Sequence, residues 1–164
     1  MKRLLIEKLH NYISENNPDL LLRLQEGSKV TDYLINKISA VDALLKQLDK
    51  SQPAYIIEDA CMDVLTQDLK PSRYNYISNI LEEEFEDHHL QLKESCTLQF
   101  ETINLINYCQ STFEDLVFNE ENESNRFLRY AIIGCISEYL ESNKVSMKNV
   151  SNGLQQPTKI AGQY

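Results

Sequence analysis

Residues 31–50 read Thr31-Asp32-Tyr33-Leu34-Ile35-Asn36-Lys37-Ile38-Ser39-Ala40-Val41-Asp42-Ala43-Leu44-Leu45-Lys46-Gln47-Leu48-Asp49-Lys50, with apolar side chains recurring at Leu34, Ile38, Val41, Leu45 and Leu48. Steps of four and three keep side chains on one face of an α-helix, whereas a half-buried strand alternates in twos. The stretch therefore predicts an amphipathic helix from Thr31 to near Lys50. Toward the N-terminus, Leu5, Leu9, Tyr12 and Ile13 repeat the pattern until Asn16-Asn17-Pro18, where Asn17 reads as an N-cap and Pro18 opens a new segment. That segment, an apolar turn over Leu20 to Leu24, stops at Gly27, read as a left-handed helix end.

Toward the C-terminus, Pro53 is placed in the first turn of a helix whose buried face is Ile57, Cys61, Val64 and Leu65 and whose end lies near Leu69. Pro71 restarts the chain; Tyr74, Ile77, Leu81 and Phe85 form the next stripe, which runs on through His88 and His89 to Leu92. Ser95 or Thr97 caps a helix carrying Ile103, Ile106, Cys109 and Phe113, although Leu98 to Phe100 also fits a short extended piece. After a polar loop, Asn119 to Asn125, Leu128, Ile132, Cys135, Ile136 and Tyr139 mark a last helix ending at about Ser142. Residues 143–164 lose the periodicity and read as a mobile polar tail. With 164 residues, and only four Gly and four Pro to punctuate turns, the chain is expected to be all-α. It reads as a compact bundle of five to six amphipathic helices, a single domain over residues 1–142 with one core.

Charge is unevenly spread. Residues 51–143 hold 18 Asp/Glu against 5 Lys/Arg, within a chain of net charge -9. Such a field repels phosphate, so no direct nucleic-acid binding is expected. No apolar run approaches the roughly 20 residues that cross a bilayer, and Glu7, Lys8 and His10 interrupt any signal-peptide core, so a cytoplasmic location without membrane contact is expected. Cys61, Cys96, Cys109 and Cys135 are widely spaced and read as unpaired, reduced thiols.

No glycines are grouped into a phosphate-cradling loop and no Gly-x-Ser-x-Gly elbow occurs, which excludes P-loop, Rossmann and elbow-type serine hydrolase chemistry. The densest constellation is Glu82-Glu83-Glu84-Phe85-Glu86-Asp87-His88-His89. Glu86 and His89 have the i, i+3 spacing of carboxylate-bridged metal bundles, but such sites need further glutamates and histidines, and His10 is the one other histidine beside His88 and His89. A solvated acidic face is the simpler reading, and a metal-dependent enzyme or metal-binding bundle using Glu82 to His89 is the alternative. Asn119 to Ser124 alternates oxygen ligands but has Ser124 where a calcium loop needs Gly and Tyr130 where it needs Glu. Lys70 to Tyr76 interleaves cations and aromatics, the side chains enriched in binding hot spots, and singles out Arg73 and Tyr76. Arg126 and Arg129, one turn apart, suit an acidic neighbour within the chain.

Several strings carry a resemblance: Asn17-Pro18-Asp19-Leu20-Leu21, Gly27-Ser28-Lys29-Val30-Thr31-Asp32-Tyr33-Leu34, Pro53-Ala54-Tyr55-Ile56-Ile57-Glu58, Pro71-Ser72-Arg73-Tyr74-Asn75-Tyr76, and Leu128-Arg129-Tyr130-Ala131 with Ile136-Ser137-Glu138-Tyr139-Leu140. Over about residues 4–142 the chain resembles an uncharacterised all-helical bacterial domain family of the Bacteroidetes, often encoded on conjugative transposons. That resemblance implies a bacterial, cytoplasmic, mobile-element setting and carries over no activity, cofactor or site residue. The sequence points to a non-enzymatic interaction or regulatory accessory module without a cofactor. Its basic protein partner would meet Glu82, Glu83, Glu84, Glu86 and Asp87, with Arg73 and Tyr76 at the edge.

Overall fold

The computed structural model describes residues 1–48 and 51–154, with side chains described as far as residue 144. Among the described residues there are ten α-helices, one 3-10 turn and no strand. The first helices are α1 (Lys2–Asn16), α2 (Pro18–Glu26), α3 (Val30–Ser39), α4 (Asp42–Gln47) and α5 (Ala54–Thr66), followed by the 3-10 turn Gln67–Leu69. After the cis Lys70–Pro71 bond come α6 (Arg73–Glu84), α7 (Glu86–Glu94), α8 (Leu98–Tyr108), α9 (Gln110–Asp115) and α10 (Arg126–Leu154).

The fold class is all-α, as expected, but three of the expected helices are each cut in two. The Thr31 to Lys50 helix turns at Ala40 and Val41, whose amides bond back only three residues, to Lys37 and Ile38. Phe85, at φ -132 and ψ 49, separates α6 from α7, and Cys109, at φ -88 and ψ 6, separates α8 from α9. In each case the apolar spacing in the sequence runs on across the bend, although α4 and α7 bury no residue, so hydrophobic spacing alone does not reveal it. The last helix does not stop at Ser142 but continues to Leu154, and residues 155–164 of the expected tail lie outside the described residues. Leu98 to Phe100 opens α8 rather than an extended piece, and Pro53 is the N-cap of α5 rather than part of its first turn.

Gly27 is not the left-handed stop of α2. Its φ is -87, and Ser28, at φ 53, takes the left-handed position. The amides of Ser28 and Lys29 bond to Gln25 and Leu24 oxygens, which is the Schellman pairing. Two further Schellman ends use Cys96 (φ 58) after α7 and Val117 (φ 52) after α9, with the same crossed bonds, Thr97 N–H to Leu92 O and Phe118 N–H to Phe113 O.

The expected single core resolves into two apolar clusters. Leu5, Leu9 and Ile13 of α1 pack with Leu34, Ile38, Val41, Cys61, Leu65 and Leu69. Ile77, Ile80 and Leu81 of α6 pack with Leu105, Ile106, Cys109, Phe113, Leu128, Ile132 and Ile136. Val64, expected inside, is 47% exposed, because Cys61 and Leu65 take the inward face of α5. The clusters belong to one domain: α2 packs on α8, Ser72 Oγ donates to Asn16 O, and Asn75 Nδ2 donates to Asn16 Oδ1 at 2.9 Å. Asn17 stands at the N-cap of α2 without a side-chain cap, since its Nδ2 donates instead to Leu69 O at 3.3 Å. This polar junction fixes the start of α6, and with it Arg73 and Tyr76.

Candidate interaction surface

Ser72 caps α6 by accepting the Asn75 amide at 3.0 Å, so the next turn projects Arg73 and Tyr76 toward α9. The Arg73 guanidinium lies 5.1 Å from the Phe113 ring centroid. Tyr76 meets Phe113 and Phe118 edge-on at 5.9 and 4.9 Å, and the two phenylalanines pair at 5.0 Å. Burial raises the Tyr76 hydroxyl above its ordinary pKa, partly opposed by the Arg129 charge and reinforced by Glu123. That hydroxyl is buried without a hydrogen-bond partner. Arg73 also borders a cleft of about 500 Å³ between α2 and α8, with Asp19, Arg23 and Glu114. Tyr76 borders a shallower recess of about 430 Å³ with Lys70, Glu120 and Glu123.

The acidic residues lie at the other end of α6. Glu82, Glu83 and Glu84 close that helix, Phe85 turns the chain, and Glu86 and Asp87 open α7, where their charge suits the helix dipole. All five carboxylates are exposed. Arg129 on α10 reaches two of them, Glu83 at 2.7 Å and Glu84 at 3.2 Å. Burial alone would lower the Arg129 pKa, but the hydrogen bonds it donates to Glu84 and Glu83, with the charges of those carboxylates, outweigh it and the net shift is upward. Glu82, Glu86 and Asp87 make no ion pair among the described residues.

The structure thus brings Arg73 and Tyr76 together around Phe113, with Glu82 nine residues and about 14 Å of helix rise beyond Arg73. Glu86 and His89 share one turn of α7, but among the described residues no group of three His, Cys, Asp or Glu side chains gathers where it could hold a metal ion. The Asn119 to Asn125 loop is tied by its own amides, with Asn119 Oδ1 accepting from Glu121 and Asn122 N–H at 3.0 Å. Asn125 Oδ1 then caps α10, accepting from Phe127 N–H at 2.8 Å.

A family model described as a domain of unknown function, DUF1896, matches residues 6–145. The chain belongs to this family. No curated protein and no solved structure matches the chain. The DUF1896 match takes in both apolar clusters except Leu5, together with the α6–α7 corner and the N-terminal part of α10. Among the described residues of this DUF1896 domain no helix is long and apolar enough to cross a membrane.

The stretch from Arg126 to Tyr130 reads in the sequence as suited to an acidic neighbour within the chain, but the structure leaves its two aromatic residues on the outward face of α10. Phe127 is 79% and Tyr130 63% exposed, and Gly134 follows them at helical spacing. A glycine in the middle of a strong amphipathic helix was the available clue.

Proposed function

We propose that this DUF1896 domain is a non-enzymatic, acidic helical interaction module, a cytoplasmic accessory or regulatory component of a bacterial mobile element, that docks on a basic protein surface through the α6–α7 corner. The observation that carries this reading is the surplus of exposed charge there: five carboxylates share one cation, and Glu82, Glu86 and Asp87 are left unpaired among the described residues. Unpaired, solvated carboxylates add little to folding stability but steer a cationic partner. Arg129 holds Glu83 and Glu84 in place, so the corner presents its charge on a fixed scaffold. The test uses a lysine- and arginine-rich peptide as probe, with duplex DNA as a second probe, across a salt series. Binding of the peptide should weaken as the Debye length falls from about 10 Å at 0.1 M toward about 3 Å at 1 M. It should also weaken in the Glu82→Gln, Glu86→Gln, Asp87→Asn triple variant. Peptide binding indifferent to both changes, or direct binding of DNA, would overturn the reading.

A further inference from the structure

Among the described residues the outward face of α10 has no occupant. Along it stand Phe127, Tyr130, Gly134, Glu138 and Glu141, all exposed and all at helical spacing. Glycine weakens a helix interior relative to alanine, so its place here asks for a reason. Packing among the described residues supplies none, since a Cβ at Gly134 would meet nothing there within 4 Å. A missing side chain at the centre of a helix face instead allows another backbone to come close.

The charges on this face are ordered. Arg126 at its start is exposed and has no ion pair among the described residues, while Glu138 and Glu141 lie at the far end. Glu138 accepts a hydrogen bond from the Tyr108 hydroxyl, at 3.4 Å, and Tyr108 is itself 46% exposed, which widens the patch. Two such helices crossing antiparallel at Gly134 would set Tyr130, four residues before the crossing, against Glu138 of the second copy, four residues after it. Phe127 and Arg126 would reach the level of the second copy's Glu141. A phenol can donate to a carboxylate and a guanidinium can pair with one, so each end of the face complements the other. A parallel arrangement would place Arg126 on Arg126 and the glutamates on one another. Only the antiparallel arrangement is self-complementary, as a two-fold interface requires.

We propose that α10 forms a symmetric antiparallel homodimer interface in which two copies of this chain cross at Gly134. The crossing uses none of the five corner carboxylates, and it does not rest on the docking reading above. Sedimentation equilibrium on the full chain over a concentration series tests it. Wild type should show a monomer–dimer equilibrium, and Gly134→Leu should raise the dissociation constant by at least about tenfold by filling the crossing point. Leucine is the better helix former, so this variant should melt no lower than wild-type monomer, which separates lost association from lost folding. Arg126→Glu and Glu141→Arg should each weaken the dimer, and the double variant should recover it by restoring opposite charges. A wild type that stays monomeric throughout, an unchanged dissociation constant in Gly134→Leu, or a double variant no better than its parents would each overturn the proposal.

Discussion

Three left-handed residues, Ser28, Cys96 and Val117, end helices where glycine is the usual choice. Val117 is the most strained of them, because a β-branched side chain at positive φ crowds its own carbonyl. It is also 61% exposed, so it gains little from burial there. Val117→Gly is expected to raise stability by roughly 1 kcal/mol, read as an upward shift of the urea midpoint. Gly27→Ala is the matched control. At φ -87 alanine is unstrained and its Cβ would meet only the flexible Lys29 side chain at 3.4 Å, so this variant should not lose stability. A second residue-scale expectation concerns Tyr76, whose ring packs against Phe113 and Phe118 while its hydroxyl is buried and unpartnered. An unpaired buried polar group costs free energy that phenylalanine would not, so Tyr76→Phe should leave stability unchanged or raise it by up to about 1 kcal/mol. A clear loss in thermal melting would mean that the hydroxyl is bonded in solution.

At the scale of elements, buried faces were legible in the sequence and bends were not. Leu34, Ile38 and Val41 are buried on one stripe, as their spacing indicated, yet the helix axis turns between Ser39 and Asp42. Nothing as blunt as proline or glycine marks that turn. Ser39 Oγ bonds the Asn36 carbonyl at 2.6 Å and two amides shorten to three-residue bonds, a competition among hydrogen bonds that a hydropathy pattern does not register. Phe85 is similar: its ring packs against the second apolar cluster, and the backbone breaks where it does so. The expected stripe on α10, by contrast, is buried at Leu128, Ile132 and Ile136 against α6, α8 and α9, with Cys135 and Tyr139 partly buried beside them. Removing most of a fully buried side chain there should be expensive. Ile132→Ala is expected to cost about 2–5 kcal/mol in denaturant unfolding, whereas a cost below about 1 kcal/mol would show that the seam between α6 and α10 is looser than this packing.

Across the whole molecule, composition announced the acidic region but not how the folded chain distributes it. The run from Glu82 to Asp87 looked like one helix face; folding splits it over two helices and brings Arg129, 45 residues beyond Glu84, to bind part of it. Such long-range pairing depends on topology, which a local pattern does not encode. The same is true of the two apolar clusters, since each stripe reads alike whichever cluster it joins. Folding also leaves a signature in proton binding. Burial raises the pKa of Tyr12, Tyr33, Tyr74, Tyr76 and Tyr139, and of Cys61 and Cys109, with Cys109 pushed up to about 12. In the unfolded chain these thiols and phenols deprotonate near their ordinary values of 9.0 and 10.0, while the folded chain still holds its protons. The folded state then binds more protons than the unfolded one, so stability must fall as pH rises. The loss begins near the ordinary thiol value and, for Cys109, continues to about pH 12. Urea midpoints should therefore hold near neutral pH and decline from about pH 8.5 to about pH 10, the reference range of free thiols and phenols. Cys109→Ala should start less stable because it leaves a cavity, yet it should lose less over that interval than wild type does. A midpoint flat from neutral to about pH 10, or an equal decline in the variant, would place these protons outside the folding equilibrium.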